Sequence, residues 1–445
     1  MKNNPRGAAI DVLCAWQRDQ QPVEQMCEQG LADFAGADPR DRQLAWSLVL
    51  GVVRQLRFLD WVIGAYSMHP PAKMKPLTLQ ALRVGVYQLL FLDRVPASAA
   101  INETVQALKS AKQPKWLTGF VNGLLRNVDR NRADLVGEGL APGVRYSHPD
   151  WLVKRWQARY GADRTEAICR INNKLPSLTL RVDLGAERLA EYIETLRTTG
   201  IEAQAGRYAP TAVCLPGYRG AVRDLPGYGQ GWFQVQDEAA QLVSMLLAPF
   251  GAGPYLDGCA GLGGKTTHLA RLLPASARLV ALEPSPSRRR LLDENLTRLQ
   301  LVERVMVVAG ELADLANSPE RFRGILIDAP CSGLGVVRRH PDIRWHREER
   351  ELLRYQAKQL DLLDAAAGLL LPAGVLVYVT CSMEPEEDEQ VIDLFLHAHP
   401  EFVLTKAGEY LPGACNGLVN DRGMLYTAPD LHDLDGFFAA RLQKR

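Results

Sequence analysis

Tyr255-Leu-Asp-Gly-Cys-Ala-Gly-Leu-Gly-Gly-Lys-Thr-Thr267 decides how the C-terminal half of this chain is read. An apolar pair runs into an acid, and a glycine-rich loop follows where a helix should open. Three kinds of ligand loop share that outline. A phosphate-binding P-loop needs G-x-x-x-x-G-K-[ST]; Gly264-Lys265-Thr266 fits, but the first glycine falls on Cys259. A dinucleotide fingerprint, G-x-G-x-x-G, is met at Gly261 and Gly263 and fails at Thr266. The third kind holds a nucleoside cofactor, with glycines that let the backbone approach it and an acid closing the next strand for the ribose hydroxyls. Glu283 stands at that place, and Glu311, after the third run, is placed to meet the adenine ring region. Each piece also has a plainer reading, since glycine loops make tight turns and strand-end acids cap helices.

Further apolar runs recur downstream at Leu279 to Leu282, Val305 to Val308, Ile325 to Ile327 and Val375 to Val379, alternating with helical stretches. Asp257, Glu283, Glu311 and Asp328 follow the first four runs, and Cys381 lies just past the fifth. This is the layout of an open, mostly parallel α/β sheet, whose ligands bind outside the carboxyl ends of the strands. The longest apolar stretch, Ala365 to Val379, is broken by Pro372 and Gly374 and falls short of the ~18 residues of a membrane span. It reads as a helix end, a turn and a buried strand.

Upstream the pattern is helical. Leu44, Leu48, Val52 and Leu56 recur at helical spacing, as do Leu79, Leu82, Val86 and Leu89, and Leu117, Val121, Leu124 and Val128. His69-Pro70-Pro71 supplies turn chemistry between them. The stretch from Val144 to Arg181 carries eight Lys or Arg against three acids, with Trp151 and Trp156 interleaved. It can serve phosphate contacts and base stacking on an RNA, or form a solvated amphipathic helix. Arg338, Arg339, Arg344 and Arg347, with His340, Trp345 and His346, form a second basic cluster just after Cys331. A charged surface loop is one reading, and contacts to the phosphates of a substrate strand are the other.

The 445 residues suggest two to four domains, each with its own core, and 47% hydrophobic with 23% charged residues is a globular composition. Disordered and fibrous chains are excluded. The net charge of +1 is an average: +5 over residues 1–130, +1 over 131–250 and −5 over 251–445. Neutrality therefore does not exclude a nucleic-acid partner. Lys2, Arg6 and Asp11 interrupt the start, so no secretory segment is read there and the cytoplasm is the expected compartment. The eight cysteines are scattered, without a C-x-x-C pair or zinc spacing, so neither a disulfide framework nor a metal site is expected.

Asp328-Ala-Pro-Cys331-Ser and Thr380-Cys381-Ser follow the fourth and fifth runs, which brings both thiols to the sheet edge that carries the glycine loop. Singly, each is more often a buried small hydrophobe. Together beside a cofactor site they suit one reaction. The C5 carbon of a pyrimidine is a weak nucleophile, and covalent attack at C6 turns it into an enamine-like carbon. That chemistry needs a thiolate, a proton relay on the base and a group that removes the C5 proton. Cys381, Asp328 and Cys331 would supply these parts.

These paired motifs, with Thr380-Cys-Ser-Met-Glu-Pro-Glu-Glu387, resemble those of the RNA (cytosine-5)-methyltransferases that use S-adenosylmethionine. The Cys259-Ala-Gly-Leu-Gly-Gly-Lys265 loop is similar to their cofactor loop. Trp232-Phe-Gln-Val-Gln-Asp-Glu-Ala-Ala240 resembles the segment before it, and Asp435-Gly-Phe-Phe-Ala-Ala-Arg441 their closing strand. Arg338-Arg-His-Pro-Asp-Ile343 points within that group to the 16S ribosomal RNA methyltransferase B type, the Sun or Fmu family. Val84-Gly-Val-Tyr-Gln-Leu-Leu90, Ala99-Ala-Ile-Asn-Glu-Thr-Val105 and Phe120-Val-Asn-Gly-Leu-Leu-Arg126 look like the NusB-type helical RNA-binding domain this family carries. The resemblance spans nearly the whole chain.

It implies an all-α NusB-like domain over 1–140, a small α+β basic connector over 141–235, and a Rossmann-like class I methyltransferase domain over 236–445. Cys381 would be the nucleophile, and Cys331 would help to release the methylated base. Cys259, Ala260, Gly261, Leu262, Gly263, Gly264, Lys265, Glu283, Glu311 and Asp328 would bind S-adenosylmethionine. The family usually carries Ala-Pro where this chain has Gly261-Leu262, and Asp where it has Glu283 and Glu311. Each Glu is one methylene longer, which bears on cofactor pose.

The expected activity is methylation at C5 of a cytosine in 16S ribosomal RNA, flipped out of its stack, by a monomer with no membrane association. The same chemistry on transfer RNA, or a non-catalytic RNA-binding assembly factor, are the competing readings.

Overall fold

A computed structural model describes residues 4–32, 38–136 and 139–445. The chain divides into two compact units, one of Met1–Leu175 with Val337–Arg347, the other of Pro176–Val336 with Glu348–Arg445. No helix among the described residues is long and apolar enough to cross a membrane.

The first unit is helical. Its helices Pro5–Asp19 and Pro39–Arg54 open on side-chain caps: Asn4 accepts from the N–H groups of Arg6 and Gly7, and Asp38 from that of Arg40. Both have proline in the first turn, where no N–H is missed. The helix Pro76–Phe91 is buried nearly all round, as the central member of a helical bundle must be. A Cβ on Gly51 would fall 2.0 Å from the Tyr87 ring, so glycine is what lets the helix Pro39–Arg54 approach this one. Of the three apolar stripes, Leu48, Val52, Leu79, Leu82, Val86, Leu89, Leu117, Val121, Leu124 and Val128 are buried as their spacing predicts. Leu44 and Leu56 are half-buried.

The basic cluster after Cys331 is not a free surface loop. It folds into this helical unit. Arg344 is fully buried, and its guanidinium donates to the carbonyl oxygens of Ser147 and Asn172 at 3.0 and 3.1 Å and to Asn173 Oδ1 at 2.9 Å. Trp345 Nε1 donates to the Val53 carbonyl at 2.8 Å, and the Asp342 carboxylate accepts from the Val23 N–H at 3.1 Å. Arg338 is buried as well, and its own carbonyl accepts from Arg54. Residue counting registers four arginines, but Arg338 and Arg344 are buried, and protein acceptors take up the Arg344 donors that a phosphate would need. Trp156 is likewise fully buried and packs near His148, which removes it as a stacking platform.

The second unit holds two sheets. The smaller is antiparallel, in the order β2-β3-β1-β4, with β1 Leu178–Val182, β2 Gln204–Ala205, β3 Ala212–Leu215 and β4 Phe233–Val235. The helix Ala186–Thr198 packs on it through Tyr192, Ile193 and Leu196. The larger sheet contains β5 Pro254–Asp257, β6 Arg278–Leu282, β7 Val305–Val308, β8 Phe322–Asp328, β9 Leu370–Thr380, β10 Phe402–Thr405, β11 Leu425–Thr427 and β12 Phe437–Lys444. Its order is β10-β12-β9-β8-β5-β6-β7, with β11 paired to β12. The strands from β9 to β7 are parallel, whereas β10, β11 and β12 pair antiparallel. All five apolar runs lie inside parallel strands.

The order reverses at β5, which lies between β8 and β6. Such a switch point opens a crevice at the carboxyl ends of the strands. Register fixes what meets there: Asp328 is level with Val379, and Phe438 of the antiparallel β12 with Thr380. The start of β12 therefore arrives beside Cys381.

Candidate active site

The glycine loop joins β5 to the helix Gly264–Leu272. Asp257, fully buried at the end of β5, holds both sides of the turn. Its carboxylate accepts from the Cys259 N–H at 3.3 Å and from the Thr266 hydroxyl at 2.7 Å. Burial above all pushes its carboxyl up to about 6, against the pull of those hydrogen bonds. The Ala260 N–H donates to the Leu282 carbonyl and so ties the loop to β6. Gly261 and Gly263 have φ of +56° and +87°, and Gly263 is the residue before the helix. From the small sheet, the fully buried Arg181 donates to the Gly264 carbonyl at 2.8 Å and to Thr267 Oγ1 at 3.0 Å, bracing the first helical turn from behind.

The predicted cofactor residues converge at this edge. Glu283 is buried just past β6, with one carboxylate oxygen accepting the Ser285 N–H at 2.8 Å. Glu311 takes the plainer role that a strand-end acid also allows: it caps the turn Leu312–Leu315 in a reciprocal box with Asp314. Cys259 reports the local field. Its thiol is held far above the ordinary range, first by burial and then by Asp257, Asp328, Glu283 and Glu311. Four carboxylates around one short loop, with open space where a Cβ on Gly261 would stand, suit a ligand that is cationic and rich in hydroxyl donors. S-adenosylmethionine, with its sulfonium, amine and ribose, has that chemistry, so these residues fit it.

Lys265, on the first turn of the helix, reaches Asp328 Oδ2 at 2.6 Å. Burial disfavours its ammonium, but Asp328, and after it Cys381 and Asp257, outweigh that cost and raise its pKa.

The two thiols meet. Cys331 Sγ lies 3.2 Å from Cys381 Sγ. The Cys331 thiol is pushed well above its usual value, first by the hydrogen bond to Cys381, then by burial and by the charge of Cys381. That rise favours the protonated form of Cys331 beside Cys381.

Residue patterns did not single out what holds the pair in place. Glu387 is fully buried and accepts from the Ser332 N–H at 2.7 Å, the Ser332 hydroxyl at 2.5 Å and the Ser382 hydroxyl at 2.6 Å. Gln359 adds a fourth donor at 3.3 Å. One carboxylate thus holds the residue after each cysteine. A serine after each cysteine and a Glu downstream were the available signals. The Gly335 N–H donates to the Cys381 carbonyl at 3.0 Å, and the Gly436 N–H to the Gly335 carbonyl at 2.8 Å.

Three family models match the chain: the NusB family over residues 3–130, the RsmF/B-like ferredoxin-like domain over 148–220, and the 16S rRNA methyltransferase RsmB/F over 244–443. The ribosomal RNA small subunit methyltransferase B of Yersinia pestis bv. Antiqua (strain Angola) is 37% identical over 407 residues, 91% of each chain. That of Salmonella paratyphi B (strain ATCC BAA-1250 / SPB7) is 35% identical over 432 residues, 96% of this chain and 97% of its own. Among solved structures, PH0851 superposes with a TM-score of 0.79 at 25% identity, covering 99% of both chains. NSun6 from Pyrococcus horikoshii, at 20% identity and a TM-score of 0.58, covers 66% of this chain and 98% of its own, and shares the fold. The chain belongs to the ribosomal RNA small subunit methyltransferase B family, enzymes that draw their methyl group from S-adenosylmethionine.

Proposed function

We propose that this enzyme methylates C5 of a specific cytosine in 16S ribosomal RNA through a covalent bond between Cys381 and C6 of the base. The observation that carries this reading is the pair of thiols 3.2 Å apart at the sheet edge that carries the glycine loop. In this reading Cys381 attacks as its thiolate, the nucleophilic form of a cysteine.

Cys381 attacks C6, and the electrons of the C5–C6 double bond move toward the ring nitrogen. The Lys265–Asp328 pair holds the proton that neutralises that nitrogen, and takes it back when the ring is restored. Cys259 to Lys265, Glu283, Glu311 and Asp328 would hold S-adenosylmethionine, which when bound would supply an electrophilic methyl group for the enamine-like C5. Once Cys381 is bound to carbon, its charge no longer raises the Cys331 thiol. Cys331 then releases its proton to solvent and can act as base. It removes the C5 proton, the double bond reforms, and Cys381 leaves as thiolate with the thiol on Cys331 restored. The balance is one methyl gained by the base and one proton released.

In this reading residues 1–140 bind RNA, 141–235 form a connector whose part up to Leu175 belongs to the helical unit, and 236–445, apart from Val337–Arg347, carry methyl transfer. The enzyme works as a monomer in the cytoplasm. Bisulfite sequencing of total RNA from a deletion strain and its parent tests the substrate. Loss of one cytosine mark in 16S ribosomal RNA is expected; loss of a transfer RNA mark alone refutes the ribosomal assignment.

A further inference from the structure

The helical unit contains an open cleft of about 620 Å³ that the chemistry above does not use. Phe58, Phe91, Arg132, Arg145, Tyr146 and Arg170 are among the residues that line it. Phe91, at the end of its helix, is 37% exposed although its ring is fixed on two sides, stacked on Tyr87 at 5.3 Å and edge-on to Phe58 at 6.0 Å. It is a partly exposed aromatic ledge held by two neighbouring rings. Arg145 and Arg170 lie over the Tyr146 ring at 5.5 and 5.9 Å. The Tyr146 hydroxyl and Arg170 both donate to Glu166 Oε1 at 2.5 Å, which fixes that wall. Among the lining residues, three arginines stand against a single acid, Asp93.

We propose that this cleft receives an unpaired nucleotide of the RNA substrate, its base on the Phe91 ledge and its flanking phosphates on Arg132 and Arg145. The inference rests on the assignment of RNA as substrate. A cavity of this size accommodates one nucleotide. Aromatic faces take bases without regard to sequence, and guanidinium groups take phosphates. A protein segment would ask for a longer apolar groove and gain little from Arg132 and Arg145, while Arg170 is already paired with Glu166. The basic stretch that begins at Val144 supplies Arg145 and Arg170 to this cleft, while its Trp156 is buried elsewhere in the unit.

The test uses the full-length protein and a fluorescein-labelled, unstructured RNA oligonucleotide, read by anisotropy across a salt series. Phe91→Ala should weaken binding about tenfold with the salt slope kept. Arg145→Glu should weaken it and lower the log–log salt slope by about one. Arg18→Glu, at an exposed site of the same unit outside the cleft, is the charge control. Phe91→Leu keeps apolar bulk without a π face and should lose as much as Phe91→Ala, which covers the case where the alanine variant folds poorly. Binding within twofold of the parent in both cleft variants overturns the proposal, as does an equal loss in Arg18→Glu. Methyl transfer from tritiated S-adenosylmethionine to unmodified 16S ribosomal RNA separates the two levels. A parent that methylates while the cleft variants bind normally refutes the cleft alone; a parent that does not methylate refutes the substrate assignment, and anisotropy still decides the cleft.

Discussion

The Glu387 carboxylate accepts both the backbone N–H and the hydroxyl of Ser332, at 2.7 and 2.5 Å. It accepts the Ser382 hydroxyl as well, so a single side chain sets the spacing of Cys331 and Cys381. Burial raises its pKa, and the hydrogen bonds from Ser332 and Ser382 act against that shift. Glu387→Ala takes the acceptor from four buried donors, at about 1–3 kcal/mol for each that finds no other partner. We expect a fall of about a hundredfold in kcat, since small misplacements of reacting groups cost that much, with KM for RNA little changed. Glu387→Gln keeps one carbonyl oxygen and should recover part of the rate. A folded Glu387→Ala protein with parental kcat would end this account.

The thiol pair predicts a reciprocal effect. The hydrogen bond to Cys381 is the main reason the Cys331 thiol is raised, so Cys381→Ala should lower the pKa of Cys331. Iodoacetamide alkylation of the Cys331 peptide, followed by mass spectrometry across pH, reads this directly. The same variant should form no RNA adduct, and Cys331→Ala should accumulate one because the C5 proton stays in place. Adduct in Cys381→Ala and none in Cys331→Ala would exchange the two roles.

The contact of Gly335 with Gly436 carries its own test. A Cβ on Gly335 would lie 2.1 Å from the Gly436 carbonyl oxygen and 2.9 Å from that of Cys381. Both neighbours are backbone, so neither can swing aside. Gly335→Ala should destabilise the unit by about 1–3 kcal/mol and displace Cys381. Activity should fall further than the folded fraction measured by urea titration at the assay temperature. Equal losses would mean that only stability is affected.

Asp257 makes stability depend on pH. Its carboxyl titrates near 6 when folded, against 3.8 as the ordinary value. Between about pH 4 and 6 the folded protein binds more protons than the unfolded chain, so stability falls as pH rises and levels off above that window. The contribution is on the order of 2–3 kcal/mol. Subtracting the denaturation profile of Asp257→Asn from that of the parent should reveal this slope, and a flat difference from pH 4 to 7 would contradict it.

The sheet was legible because its strands are short apolar runs bounded by acids, a pattern that burial on both faces imposes. The cysteine pair was legible because both motifs follow strands whose ends share an edge. Glu387 was not, since a serine after each cysteine and a downstream Glu do not by themselves say that one carboxylate joins the two loops. Trp156 and Arg344 misled for a related reason. Composition counts side chains that can reach a ligand, whereas burial decides which of them do. Glu311 carries both possibilities at once, a strand-end acid of cofactor type whose carboxylate caps the next turn.

Arg344 is the sharpest case and gives the last prediction. Its guanidinium is fully buried, and burial pushes its pKa down to about 9, so it remains a cation at neutral pH. It answers Ser147, Asn172 and Asn173, acceptors from three positions along the chain, through one planar fork. Lysine carries the same charge but cannot span those acceptors. Arg344→Lys should therefore destabilise the helical unit by about 2–4 kcal/mol, close to the loss in Arg344→Met, because unmet carbonyls rather than missing charge set the cost. Were Arg344 a phosphate ligand on the surface, Arg344→Lys would fold like the parent and bind RNA nearly as well, and Arg344→Met would lose affinity without losing stability. Urea denaturation and RNA anisotropy on the two variants separate these outcomes, and the structure requires the first.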